Sequence, residues 1–296
     1  MYNNFTERSK FIFLLIMTAA LWSTGGLLIK LINWNPIAIA GMRSAISAVI
    51  LFVYLKKPEF NWSKSQIGAA LAYTATVILF VSANKMTTAA NTILLQFTAP
   101  IYVAIIAAVF LKEKNELIDW ISVITVMAGM TLFFLDKLNL TGFWGNILAA
   151  FSGVSFALFT IFMRKQKDGS PLESVLLGNI LTAIIGLPFM FGSSPGTASF
   201  IYLTILGVVQ LGIPYILYSI AIKRLTALET ILITVIEPIL NPIWVLLLLN
   251  EVPGPWSIVG GIIVISAITI RQIMNTPSVK RKISDKRLTQ KKTTVP

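Results

Sequence analysis

The sequence predicts an all-α integral membrane protein whose ten transmembrane helices form two inverted five-helix repeats. Three observations predict it: apolar runs of membrane-crossing length, a one-sided distribution of Lys and Arg, and a segment of chain that occurs twice. Composition sets the frame. Of the 296 residues, 56% are AVILMFWYC and only 12% are charged, where soluble domains carry about 25% charge. Mean hydropathy is +0.80. Cysteine and histidine are absent, which removes disulfides, thiol nucleophiles, imidazole bases and ordinary zinc sites. No enzyme activity, metal or cofactor is therefore expected.

The spans follow in order. Apolar stretches of about 18–22 residues, the length that crosses the hydrocarbon, run over Phe11–Leu31, Pro36–Leu55, Ile67–Asn84, Asn91–Leu111 and Leu117–Leu135. The series continues with Gly145–Arg164, Glu173–Phe191, Phe200–Ala221, Glu229–Leu249 and Trp256–Arg271. Backbone groups cannot stay unpaired in lipid, so these are helices. The first has a basic flank, but it is longer than a signal-peptide core and keeps the count even, so it is expected as a retained helix.

Orientation comes from the cations. The net charge of +12 does not gather on a soluble face, so no nucleic acid partner is expected. Twenty of the 24 Lys and Arg fall at the N-terminus, in the loops after the even-numbered spans and in the tail. Lys30, Lys85 and Lys137 fall on the opposite side, and Arg43 lies inside a span. By the positive-inside rule both termini are cytoplasmic, in a multi-pass protein of the cell (plasma or inner) membrane. The residues after Arg271 read as a basic, disordered cytoplasmic tail.

The repeat is explicit. Residues Ala83–Lys114 align without a gap on Ala221–Val252 at an offset of 138, with twelve identities in 32 positions, among them Thr88/Thr226, Thr92/Thr230, Pro100/Pro238 and Glu113/Glu251. The halves are assigned to residues 1–137 and 138–273, with residues 274–296 as the tail. An odd helix number per repeat makes the second copy enter the membrane from the other side, a design whose two-fold related states give alternating access.

The segments ALWSTGGLLIK, PIAIAGMR, QFTAP with FLKEK, and VIEP with LLNEV resemble, in order and spacing, the EamA-type transporters of the drug/metabolite superfamily. The resemblance covers residues 11–271. It implies a permease, commonly an exporter, of small metabolites such as amino acids, with a central cavity. Ser152, Gly153 and Phe156 stand where helix 6 of the family often has Trp.

Candidate site residues follow from polar groups inside apolar spans, since intramembrane charge costs at least about 2.5–3.5 kcal/mol. Thr230, Thr234, Glu237, Asn241 and Trp244 step by four and three onto one helical face. The same offset leaves Thr92 and Gln96 as the polar half of the matching stripe. Glu237 can carry a proton as coupling ion, pair with a cationic substrate group, or bridge to Arg43. Arg43 can take a substrate carboxylate or cross-link to carbonyls or Glu237. Pro100, Pro238, Pro242 and Pro214 each free a carbonyl four residues back, making hinges and a polar niche. Trp22 and Trp244 are the expected aromatic lining. Lys30 reads as an interface anchor and Glu113 as a surface charge. The partners implied are a small molecule and the bilayer; oligomeric state is open. A lipid scramblase, or a membrane protein with no transport role on the same bundle, is the competing reading.

Overall fold

A computed structural model of the chain describes residues 2–135, 142–192, 194–240 and 254–276. Among them the regular structure is helical throughout. In chain order the elements are α1 (Tyr2–Trp22), α2 (Gly25–Leu31), α3 (Pro36–Leu55), α4 (Lys64–Met86), α5 (Ala89–Gln96), α6 (Ala99–Phe110) and α7 (Leu117–Phe133). There follow α8 (Phe143–Lys165), α9 (Pro171–Met190), α10 (Thr197–Ile205), a π-helical stretch over Leu206–Gly212, α11 (Ile213–Ile222), α12 (Ala227–Thr234) and α13 (Pro255–Met274). Among the described residues eight segments are long and apolar enough to cross a membrane, and Leu117–Phe133 is an apolar helix of 17 residues. The expected span at Glu229–Leu249 is helical over Ala227–Thr234 and over 236–240. Its remainder, with Asn241, Pro242, Trp244 and Glu251, lies outside the described residues, as does the tail beyond residue 276.

Local chemistry starts these helices. Asn35 caps α3 by accepting from the Ile37 and Ala38 N–H groups, with Pro36 at the first helical position. Ser63 caps α4 through the Gln66 N–H. Thr88 and Thr226, one of the repeat identities, cap α5 and α12 in the same way, accepting from Asn91 N at 3.0 Å and Glu229 N at 3.2 Å. Such side chains satisfy backbone donors that the helix cannot.

Several expected continuous spans are interrupted. Each abrupt break carries a hydroxyl that takes the carbonyl three residues back: Ser23 to Ala20, Thr24 to Leu21, Thr98 to Leu95 and Thr234 to Ile231. A side chain that competes for the helix's own acceptors loosens the ladder. Pro100 then sits at the start of α6, and Pro238 lies within the turn that restarts after Val235. The span around Pro214 takes another course. Pro214 has no N–H for the Gln210 carbonyl, and the preceding stretch widens into π-helix over Leu206–Gly212 before α11 restarts.

The bundle closes by close helix approach. On α3 and α9, Gly41 and Gly186 face each other so tightly that a Cβ on Gly186 would lie 2.5 Å from the Gly41 Cα. Gly129 and Gly260 do the same for α7 and α13. Small residues permit such contact where lipid supplies no hydrophobic drive. Large apolar side chains such as Val53, Val109, Ile124, Ile184 and Ile262 point outward, as a hydrocarbon solvent requires.

Gly186→Val is expected to lower the unfolding free energy by about 1–3 kcal/mol through overpacking against backbone. Gly192→Val, where a Cβ meets nothing within 4 Å, is expected to be neutral. Thermal unfolding in detergent checks the pair, and equal midpoints would contradict the crossing.

Candidate functional site: a polar chamber at the helix breaks

The interruptions converge. Trp22 ends α1, Gln96 ends α5, Gln210 and Leu211 lie on the π-helical stretch, Tyr215 follows on α11, and Glu237 lies just past the α12 break. Together with Arg43 and Thr76 they line one cavity of about 40 Å³, completed by Val77, Phe80 and Phe156. That space holds little more than a water or two. Ligand pockets begin near ~300 Å³, so a bound metabolite requires this chamber to widen.

Its two charged groups do not neutralise each other. Arg43 is 2% exposed, and its Nη1 donates to Gln210 Oε1 at 3.1 Å, while its Nε has no partner among the described residues. Glu237 is 7% exposed and takes part in no ion pair among the described residues. The bridge from Arg43 to Glu237, one alternative in the sequence, is therefore not what anchors the guanidinium. A neutral amide does so. A buried charge held by neutral groups alone is costly, and here it faces a chamber that also holds a carboxyl.

Gln210 is itself positioned by the fold. A Cβ on Gly25 would lie 2.8 Å from Gln210 Nε2, so Gly25 is the space into which the amide folds beside Arg43. Gln96 Nε2 donates to Ser152 Oγ at 2.9 Å, and Ser152 Oγ donates on to the Thr76 carbonyl at 3.3 Å. Trp22 packs on Phe156, Tyr215 and Tyr218 with ring centroids 5.7, 5.1 and 5.5 Å apart. Its indole N–H has no partner among the described residues. The lining thus combines aromatic faces with unsatisfied donors and one carboxyl.

The structure brings Trp22, Arg43, Gln96 and Glu237 together from the sequence-derived set. Thr234 is not in the lining: it is fully buried and its hydroxyl is turned back to Ile231 O at 2.8 Å. Thr76 and the Gln210 side chain were not anticipated. The available signals were a threonine in the apolar run TVILF and a glutamine flanked by Gly207, Gly212 and Pro214. Lys30 donates to Thr87 O at 2.7 Å. Glu113 is no plain surface charge, because Arg164 Nε binds it at 2.8 Å.

Interrupted membrane-crossing helices around a polar chamber define a multi-pass membrane protein of the transporter class. The chain belongs to the EamA-like transporter family, whose model matches residues 9–135 and again 143–271, within the drug/metabolite superfamily. It is similar to an uncharacterized transporter of Archaeoglobus fulgidus, 22% identical over 86% of this chain and 94% of the relative. It also matches the uncharacterized transporter YdfC of Bacillus subtilis, 26% identical over 64% of this chain and 65% of the relative. A protein of known crystal structure superposes with a TM-score of 0.77 over 91% of this chain and 99% of its own, at 14% identity, and so shares the fold.

Gln210→Leu removes the acceptor of Arg43 Nη1 and is expected to lower the unfolding free energy by about 1–3 kcal/mol. Thermal unfolding of the purified protein measures this, and an unchanged midpoint would mean that Gln210 is not what holds the guanidinium.

Proposed function

We propose that the protein is a secondary transporter, acting as an exporter of small zwitterionic metabolites of the amino-acid type, and that it works by alternating access about the central chamber. One observation carries the reading: Arg43 and Glu237 line the same chamber, yet Arg43 is held by a neutral amide and Glu237 enters no ion pair among the described residues. A substrate carboxylate completes the guanidinium and a substrate ammonium completes the carboxyl, while Trp22, Phe80, Phe156 and Tyr215 take an apolar side chain. Glu237 also serves as the proton-coupling group when the substrate has left.

Alternating access is supported by the repeat. The α5 and α12 segments are each eight residues long, begin 138 positions apart, share the threonine cap and break at the matching residue. Two five-helix repeats of opposite orientation, over residues 1–137 and 138–273, account for this and for the two family matches. In this reading both termini are cytoplasmic, as the twenty-to-three cation asymmetry requires. A chamber whose lining residues are all buried also favours a small solute over a lipid headgroup.

The test is counterflow in proteoliposomes across a panel of zwitterionic, anionic and cationic metabolites. A zwitterion is expected to exchange. Arg43→Gln is expected to reduce that flux at least tenfold, and Glu237→Gln to abolish its pH dependence. Gln210→Glu supplies Arg43 with a permanent counter-charge, and is expected to suppress flux without loss of stability. Unchanged flux in all three would remove the chamber from the mechanism. Reporter fusions at Lys57 and Lys137 are expected to lie on opposite sides of the membrane; the same side for both would overturn the topology.

A further inference from the structure

Away from the chamber, charge gathers at the end of the bundle where α1 begins and α13 ends. Arg8 of α1 pairs with Glu229 in the first turn of α12, and also donates to Asn275 O at 2.8 Å. Asp119, in the first turn of α7, receives Arg271 of α13 through Nε at 2.9 Å and Nη2 at 2.8 Å. Glu113, in the loop before α7, binds Arg164 of α8 through one oxygen. Through its other oxygen it accepts from the backbone N–H of Ala227, where α12 starts, at 2.9 Å. Each of these three ion pairs joins the first half of the chain to the second. Arg8, Glu113, Asp119, Glu229 and Arg271 line a cavity of about 180 Å³, and Arg271 Nη1 is buried without a partner among the described residues.

The opposite end is built differently. Lys30 and Lys85 donate to the carbonyls of Thr87 and Ile32, within the same half of the chain. The halves meet there through neutral groups, with Thr87 Oγ1 and Asn91 Nδ2 on Asn146 Oδ1 at 2.8 and 3.0 Å. Among the described residues that end has no ion pair.

We propose that Arg8–Glu229, Asp119–Arg271 and Glu113–Arg164 form an ionic gate that closes the chamber toward the end where α1 begins, and that opening it means breaking these pairs together. The levers are on the page. Glu229 precedes Glu237 by eight residues, roughly 12 Å along the chain's helical course, and the break after Thr234 lies between them, so the gate carboxylate sits on a part that pivots next to the chamber carboxyl. Arg8 lies on α1, whose own break follows Trp22 at the chamber. The breaks after Trp22 and after Thr234 let the outer parts of both helices swing while the far parts stay packed. Arg8 and both members of the Glu113–Arg164 pair keep some exposure, so salt weakens those two pairs, while the buried Asp119–Arg271 pair is screened much less. The gate is salt-sensitive through the first two, where the neutral end is not.

The inference rests on the alternating-access reading, and its test uses no substrate. The natural chain has no cysteine, so Thr230→Cys is a single label on α12, next to Glu229 on its chamber side along the chain and fully buried in this structure. A membrane-impermeant maleimide is added to inverted membrane vesicles at about 0.05 and about 1 M salt, and the labelling rate is read. Glu229→Gln is expected to raise the low-salt rate roughly fivefold. High salt is expected to do the same to the Thr230→Cys protein alone. Arg8→Glu combined with Glu229→Arg is expected to bring the rate back toward the starting value. Labelling within twofold across Glu229→Gln and across the salt range overturns the gate, even where zwitterion flux is intact. If the charge-exchanged protein does not elute as a folded species, the salt response of the Thr230→Cys protein decides alone. A rise supports the gate and a flat response refutes it. Absence of flux with responsive labelling would count against the transport reading only.

Discussion

A guanidinium that is 2% exposed in the middle of an apolar bundle must find its acceptors within the protein, and Arg43 finds Gln210 Oε1 at 3.1 Å. Much of the chamber is arranged around that contact. Gly25 leaves the room into which Gln210 folds. The π-helical stretch over Leu206–Gly212 brings Gln210 to the chamber wall in place of a regular α-helical turn. Tyr215 and Trp22 pack against each other at a tilt and line the same chamber. Because the acceptor is neutral, the positive charge of Arg43 persists in the chamber.

The helix breaks are the second element, and their chemistry is uniform. At the ends of α1, α5 and α12, a serine or threonine hydroxyl occupies a carbonyl three residues back. In water such an interruption costs little. In hydrocarbon it is tolerated only where protein or a wet cavity satisfies the released groups, which is why the breaks collect around the polar chamber. The same breaks divide long membrane-crossing segments into parts that can pivot, linking the gate pairs at one end to Trp22 and Glu237 at the chamber.

Much of this was legible in the sequence, and the parts that were not share a cause. Span length is a local property, and eight segments of the described chain have it. The repeat is also local, and the shared caps Thr88 and Thr226 show what its identities do. Prolines mark broken backbone bonds wherever they occur, so Pro100 was readable as a restart. Partnerships across the fold were not readable. Arg43 and Gln210 are 167 residues apart and Arg8 and Glu229 are 221 apart. Their registers are set by crossings such as Gly41 on Gly186, which no periodicity reports. Glu113 looked like a surface charge because its partners Arg164 and Ala227 come from other elements. Thr234 shared the stripe of Glu237 by spacing, but its hydroxyl is taken by the break itself.

The central claim is that the chamber binds a molecule bearing both charges. The direct measurement is the thermal midpoint of the purified protein with an amino acid that it transports, compared with the methyl ester and the N-acetyl derivative of that same compound. A ligand at 100 times its dissociation constant stabilises by about 2.7 kcal/mol. The account predicts a clear rise for the zwitterion and a much smaller one for each derivative, since the ester lacks the anion for Arg43 and the acetyl compound lacks the cation for Glu237. Equal stabilisation by all three would contradict it.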